Sequence, residues 1–467
     1  MIQSYKTIKQ IHKDYLKYQN KILTIRGWVR SNRDQKDFGF LVINDGSIFV
    51  SVQVVYEANI ENINTVRSLR AGACVMVIGK LVHTPENAQP YEITAIKIAL
   101  LGDSAEDYPI QPKRHTREFL REQGYLRPRT NLFNAVFRVR SKVAFAIHNF
   151  FQNLGFIYLH SPILTANDGE GAGQTFSVTT LDLNNIPKNP KDEVDYTKDF
   201  FGQKACLAVT GQLEGEAFAL SFGNIYTFGP TFRAENSNTS THAAEFWMIE
   251  PEMAFYDLND NMNLMEQMLK YIVKYMFKEL SLELDFFDKF VEPGIKEKLS
   301  NVLTKPFIRV SHEEAINILI KAHAEYKFEN TPKHGADLAR EHEKYLTDTY
   351  FKSPVFVYNW PKDIKAFYMK LNQDNKTVAA VDLLVPLSGE LCGGSQREDD
   401  FHKLVSRMQE LNIPTENFKW YLNLRRYGGC VHSGFGMGFE RLIMYLTGVE
   451  NIRDVSPFPR TPKSIEF

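Results

Sequence analysis

Arg233 and Arg441 stand far apart in the chain, each beside residues that suit a phosphorylated ligand. The first lies in Phe232-Arg233-Ala234-Glu235, followed by the polar loop 236–241, by His242 and by Glu245-Phe246. A guanidinium fixed at a strand end can grip a phosphate or carboxylate through two N–H groups, and a ring such as Phe246 can stack on a base. By itself the segment also reads as a surface ion pair beside a core phenylalanine. Arg441 follows Gly434-Phe435-Gly436-Met437-Gly438-Phe439-Glu440. That GxGxG run is not a dinucleotide fingerprint, since the spacing is wrong and no βαβ unit follows. Glycines up to Gly438 instead let a flat ligand approach the backbone. A third group comprises Asp382 and Glu390, ahead of Gly393-Gly394-Ser395-Gln396-Arg397. Two carboxylates on neighbouring strands beside phosphate-binding arginines are the oxygen donors that Mg²⁺ takes, an ordinary exposed turn being the alternative. Glu341-His342-Glu343 is expected on a solvated helix face, and Lys362 and Lys365 as surface charges. No histidine forms a credible triad with a serine and an acid, which argues against a nucleophilic hydrolase.

The elements that must hold these residues fall into two styles. Period-two alternation predicts strands at 22–30, 38–44, 48–55, 74–82 and 92–101, with a helix at 57–69 between the third and fourth. Five strands with that helix match a small OB-type barrel, a common nucleic-acid platform. Asp45-Gly46 signals a tight turn. Residues 103–112, polar and proline-bearing, read as a linker. Beyond Arg114, Val136, Val139, Val143, Ile147 and Phe150 describe one apolar helix face, and 156–159 a buried strand. Strands are expected at 207–210, 225–232, 246–255, 379–387 and 431–438, and helices at 261–280, 311–323, 335–347 and 399–411. Many strands with few βαβ units favour an α+β fold, a mainly antiparallel sheet flanked by helices. The implied division is a barrel at 1–102, a hinge at 103–134 and a catalytic domain at 135–467.

Bulk properties agree. At 467 residues, 43% hydrophobic and 24% charged, the chain is of ordinary globular type with two or three domains. The net charge of −1 conceals an asymmetry: residues 1–102 carry thirteen Lys and Arg against eight Asp and Glu. A basic module on an acidic remainder suits a nucleic-acid-binding appendage. The four cysteines lie far apart without a CxxC pair, which argues against a zinc site or a disulfide framework. No apolar run reaches membrane-spanning length and the N-terminus lacks a signal-peptide pattern, so a cytoplasmic location is expected.

These segments, in this order behind an OB-like module, resemble the class II aminoacyl-tRNA synthetases of the aspartate/asparagine/lysine subgroup. The similarity is greatest to the bacterial-type enzymes that serve asparagine, and runs from about Ile22 to Phe467. Residues 135–162 look like the dimer-forming first motif, 232–252 like the second and 434–442 like the third. The resemblance implies ligation of L-asparagine to tRNA(Asn) with ATP and Mg²⁺, in a homodimer joined through 135–162. Arg233 would hold the α-phosphate and the substrate carboxylate, and Glu235 would lie near the adenine. Phe246 and Arg441 would sandwich that ring, and His242 would lie near the terminal phosphates. Asp382 and Glu390 would hold the metal. Glu170 and Gln212 would receive the α-ammonium, and Glu250, paired with Arg397, would face the side chain. Phe40 and Gln53 would read the central anticodon base.

Asparagine and aspartate are nearly isosteric, so polarity must separate them. The lysine that aspartate enzymes usually carry after the Gln212-Leu213 pair is absent, the residues here being Glu214-Gly215-Glu216. Glu250 would accept from an amide and repel a carboxylate, by about 4 kcal/mol at ~4 Å and an effective dielectric near 20. One position departs from the family: Thr241 stands where an arginine usually precedes the loop histidine, which implies weakened ATP binding with chemistry intact. A relaxed aspartate enzyme, an asparagine-forming synthetase on the same core and a non-catalytic tRNA-binding paralogue are the competing readings.

Overall fold

A computed structural model of the chain describes residues 5–87, 89–167, 169 and 174–467. It has two compact units, one ending at Arg138 and also containing Phe467, the other running from Val139 to Glu466.

The first unit is built on five strands, β1 (Ile22–Asp34), β2 (Phe38–Asn44), β3 (Val52–Glu57), β4 (Cys74–His83) and β5 (Tyr91–Gly102), closed into a barrel in the order β1-β2-β3-β5-β4. Alternation drives closure: Leu23, Ile25, Leu41, Ile43, Val52, Val54, Val75 and Val77 all point into one core. The expected strand at 48–55 starts later, at Val52, because the Asn44 side-chain amide donates to the carbonyls of Ile48 (3.3 Å) and Val50 (3.0 Å). That satisfies 48–51 as a loop instead of a ladder. The helix expected at 57–69 shrinks to Ile63–Arg67, since β3 runs on to Glu57 and Asn62, at φ 63°, precedes the first helical residue.

The second unit carries β6 (Ile157–Leu159), β7 (Leu164–Thr165), β8 (Ser177–Val178), β9 (Ala205–Leu207), β10 (Asn224–Phe232), β11 (Glu245–Ala254), β12 (Ile308–Ser311), β13 (Val355–Pro361), β14 (Thr377–Val385), β15 (Gly389–Gln396) and β16 (His432–Gly438). Eight of them form one sheet in the order β12-β13-β14-β15-β16-β11-β10-β6, and β7-β9-β8 form a small second sheet. Pairing in the large sheet is antiparallel except for β12 with β13 and β10 with β6. The apolar period read at 136–150 becomes one face of the 23-residue helix Asn131–Asn153.

Three expectations need correction. Residues 157–159 are not a buried strand: β6 ends the sheet, so Ile157 and Tyr158 are 42% and 46% exposed. The strand expected at 207–210 lies at Ala205–Leu207, ahead of the helix Gln212–Phe222. The helix expected at 335–347 is α-helical only at Arg340–Lys344 and widens into a π-helical turn at Tyr345–Tyr350. Buried His342 takes a hydrogen bond from the Ala339 amide (3.1 Å) and donates to the Asn330 carbonyl (2.7 Å), which fixes where that helix begins.

Candidate active site

The face of the large sheet carries a cleft of about 320 Å³. Because side chains on a strand alternate, Phe246, Met248, Glu250 and Glu252 of β11 share its floor. Arg233, Glu235, Thr241 and His242 line it from the loop joining β10 to β11, and Gly438 and Arg441 from the end of β16 and the helix Phe439–Thr447. Asp382, Glu390 and Arg397 come from or follow β14 and β15, and Gln212 opens the helix behind Thr210. The structure thus brings together every catalytic-domain residue to which the resemblance gives a site role except Glu170, which lies outside the described residues.

At one end the Arg233 guanidinium lies 5.5 Å from the centre of the Phe246 ring. Arg441 is 3.6 Å from a carboxylate oxygen of Glu390. The residue before it, Glu440, is buried and ties three elements together. It accepts from Arg140 Nη2 at 2.7 Å and from the Trp247 amide at 2.9 Å, which binds the Arg441 helix to β11 and to the helix Asn131–Asn153. In the loop, Thr241 and His242 sit beside Thr239, whose hydroxyl meets His242 Nδ1 at 2.5 Å. Arg453 donates to the Thr239 carbonyl (3.2 Å), so a cation reaches this loop from elsewhere in the chain.

In the middle, Asp382 and Glu390 occupy adjacent strands as expected. A side chain at Gly393 would meet Asp382 Oδ1 at 3.1 Å and Glu390 Oε1 at 3.3 Å, so two carboxylate oxygens converge over a bare Cα. That hard-oxygen cradle fits a small divalent cation such as Mg²⁺. Two residues assigned to the surface belong here instead. Lys365 is half-buried against the Trp360 ring and donates to Asp382 Oδ2 at 2.8 Å, because strand pairing brings the end of β13 over β14. Glu343 accepts from the Glu390 amide at 3.1 Å beneath the β14–β15 turn. Burial, with Glu390 next and Asp382 a lesser cause, pushes the Glu343 carboxyl up to about 7. Burial likewise raises Asp382 to about 6, with Lys365 pulling it back.

At the far end the expected pairing of Glu250 with Arg397 does not form. Arg397 binds Glu252 through Nε (3.1 Å) and Nη2 (2.5 Å), and Ser395 through Nη1 (2.8 Å). Gly434 is the reason: it lies opposite Glu252 in β16, and a Cβ there would sit 2.2 Å from the Glu252 carboxylate. Without that Cβ the carboxylate crosses β16 to reach Arg397. Among the described residues Glu250 is held by hydrogen bonds alone, from Thr210 Oγ1, the Gly211 amide (2.9 Å) and Thr227 Oγ1 (3.1 Å). Burial pushes Glu252 up while Arg397 pulls it back, and with both oxygens accepting, this geometry holds the carboxylate form. Glu252 had a legible signal, the i and i+2 spacing of Glu250-Pro251-Glu252. Lys365 and Glu343 had none, because only the fold brings them to Asp382 and Glu390.

On the barrel, Phe40 and Gln53 are half-buried on the outward face of β2 and β3, since Gln53 pairs with Val42, two residues from Phe40. The Arg33 guanidinium lies 5.9 Å from the Phe40 ring, and Gln53 donates to Glu92 at 3.1 Å. No helix among the described residues is long and apolar enough to cross a membrane.

Comparison with known proteins matches residues 116–462 to the tRNA synthetases class II (D, K and N), and residues 23–101 to the OB-fold nucleic acid binding domain. The asparagine–tRNA ligase of Acholeplasma laidlawii is 63% identical over 99% of both chains, and that of Alkaliphilus oremlandii 56% identical over 98% of this chain and 99% of its own. Among solved structures, the asparaginyl-tRNA synthetase from Pyrococcus horikoshii complexed with asparaginyl-adenylate superposes with a TM-score of 0.85, at 30% identity and complete coverage of both chains.

Proposed function

The chain belongs to the class II tRNA synthetases of the D, K and N group, and on that premise we propose that it ligates L-asparagine to tRNA(Asn). The reaction consumes ATP, passes through an asparaginyl-adenylate and releases AMP and pyrophosphate. One observation supports this reading most directly: the cleft pairs an arginine whose charge Glu252 offsets with a Glu250 held by neutral donors. Such a pair offers N–H groups to a carbonyl oxygen and a carboxylate to an NH₂, and so suits a side-chain amide.

In the proposed mechanism Phe246 and Arg441 enclose the adenine, Glu235 lies near its edge, and Gly438 leaves its floor open. Arg233 grips the α-phosphate and the substrate carboxylate together, holding attacking oxygen and phosphorus in line. His242 lies toward the terminal phosphates. Glu170 and Gln212 receive the α-ammonium; the Gln212 amide nitrogen already donates to Glu216 (3.1 Å), which leaves its carbonyl oxygen for the ammonium. Asp382 and Glu390 would hold Mg²⁺, which when bound supplies positive charge to the ATP phosphates. The asparagine carboxylate attacks the α-phosphorus and pyrophosphate departs. Arg233 and Arg441 stabilise the charge that builds on the phosphoryl oxygens. The terminal hydroxyl of the tRNA then attacks the carbonyl carbon of the mixed anhydride, and AMP leaves.

The barrel, residues 1–102, binds the anticodon in this scheme, with Phe40 stacking on the central base and Gln53 hydrogen-bonding it. Residues 103–134 serve as the hinge and 135–467 as the catalytic domain. Two chains associate through 135–162, a reading supported by Phe145, Ile157 and Tyr158 at 58%, 42% and 46% exposure. The site of action is the cytoplasm, where charged tRNA is consumed. ATP–pyrophosphate exchange with asparagine and with aspartate tests the reading. Exchange is expected with asparagine and at least about a hundredfold less with aspartate; exchange with neither, or a preference for aspartate, refutes it.

A further inference from the structure

Behind the amino-acid end of the cleft lies a buried cluster that the mechanism above touches only through Gln212. Its centre is Glu216, fully buried on the helix Gln212–Phe222. Its carboxylate accepts from Arg425 Nη2 (2.7 Å), the Tyr421 hydroxyl (2.8 Å), His432 Nε2 (2.9 Å) and Gln212 Nε2 (3.1 Å). Arg397 Nε lies 4.0 Å away. A carboxylate taken this far from water persists only when it is paired and hydrogen-bonded throughout. Two of its neighbours, Gln212 and Arg397, line the cleft.

The charge of Arg397 is therefore offset directly by bidentate Glu252 and, at longer range, by Glu216, whose own nearest partners are Arg425 and His432. Among the described residues, three of the five N–H groups of Arg397 are engaged, by Glu252 twice and by Ser395. The two others can still donate to a neutral carbonyl oxygen. A substrate carboxylate entering here meets a guanidinium already paired with Glu252, and meets Glu250, which has no ion-pair partner among the described residues. We propose that Glu216, with Arg425 behind it, is a specificity-determining positioning residue: it offsets the charge of Arg397 and fixes Gln212, so that the pocket favours the amide of asparagine over the carboxylate of aspartate. This deepens the asparagine reading and rests on it.

The test compares kcat/KM for asparagine and aspartate in ATP–pyrophosphate exchange across three variants of the full chain, with melting curves to establish folding. Glu216→Gln removes a negative charge of similar shape. The asparagine-to-aspartate ratio is expected to fall on the order of tenfold, as for one unit charge lost from a buried site at an effective dielectric near 20. Arg425→Gln removes the opposing cation, and the ratio is expected to rise severalfold. Tyr421→Phe deletes the hydroxyl that donates to Glu216 and accepts from Arg425, without changing charge, and should leave the ratio within about twofold of the parent. A merely structural role would raise KM or lower kcat for both amino acids alike and leave the ratio fixed. An unchanged ratio in Glu216→Gln, a fall in Arg425→Gln, or a Tyr421→Phe effect as large as that of Glu216→Gln overturns the proposal. If Glu216→Gln does not fold, Arg425→Gln decides alone, a rise supporting the proposal and any other result overturning it. Failure of the asparagine reading would show separately, as absent asparagine exchange in the unaltered protein.

Discussion

Replacing Glu440 by alanine is expected to loosen the ATP end of the cleft from inside the fold. Glu440 is 2% exposed, and its two oxygens accept from Arg140 (2.7 Å) and from the Trp247 amide (2.9 Å). Removing one member of a buried pair leaves the other uncompensated, at about 3–5 kcal/mol. Arg140 keeps some support, since it also donates to the Val455 carbonyl (3.2 Å) and lies 4.5 Å from the centre of the Phe439 ring. The ion-pair part therefore sits near 3 kcal/mol, and the stranded Trp247 amide adds about 1 kcal/mol. For a unit of about 330 residues, unfolding entropy near 2.1 cal/mol/K per residue converts about 4 kcal/mol into a Tm lowered by roughly 6 °C. The double variant with Arg140→Met should recover about 2 kcal/mol of that loss, because the orphaned cation is gone. Arg441 follows directly in the same helix, so the KM for ATP should rise more than the KM for asparagine. Calorimetry of the single and double variants with exchange kinetics measures all three. A Tm change under about 2 °C, or strictly additive single effects, would refute this role for Glu440.

Other consequences are more local. With metal removed by chelator, Glu343 binds its proton more readily folded (about 7) than at its ordinary 4.5, so stability falls as pH rises through that window and levels off above it. Glu343→Gln should match the parent near pH 4.5 and exceed it by about 3 kcal/mol at pH 8, and parallel pH–stability curves would count against the shift. Gly393→Ala places a methyl group within 3.3 Å of both cradle oxygens; nucleotide-free Mn²⁺ affinity measured by electron paramagnetic resonance should drop at least about tenfold, roughly 1.4 kcal/mol. Thr241→Arg should lower the KM for ATP about three- to tenfold, worth ~1 kcal/mol for an exposed cation near a phosphate, with kcat little changed; no change would mean that Arg453 already serves the loop. Phe145→Glu with Tyr158→Asp should convert a dimer to a monomer in light scattering, and a parent that is monomeric at micromolar concentration would refute the proposed interface.

Much of the barrel was legible in the sequence because period-two alternation maps directly onto an inside and an outside. Where the reading slipped, a side chain replaced backbone partners, as Asn44 does for residues 48–50. The three clusters of the cleft were legible as residues, and Asp382 with Glu390 as a pair, but the partner of Arg397 was not. Arg397 finds Glu252 rather than Glu250 because a glycine on the intervening strand leaves room for the carboxylate to cross, a fact of register that no local pattern carries. Lys365 and Glu343 looked like solvated charges because their burial comes from strands and loops remote in sequence. Glu216 was read as the absence of a lysine, whereas it is the centre of a buried network.

ATP-dependent joining of asparagine to tRNA is the activity on which everything above depends. Its most direct test is transfer of radiolabelled amino acid to a tRNA transcript bearing the asparagine anticodon, with ATP and Mg²⁺. Transfer of asparagine, dependent on ATP and abolished by Arg233→Ala, with aspartate left unattached, is the predicted result. Transfer of aspartate, or none of asparagine at saturating ATP, would contradict it.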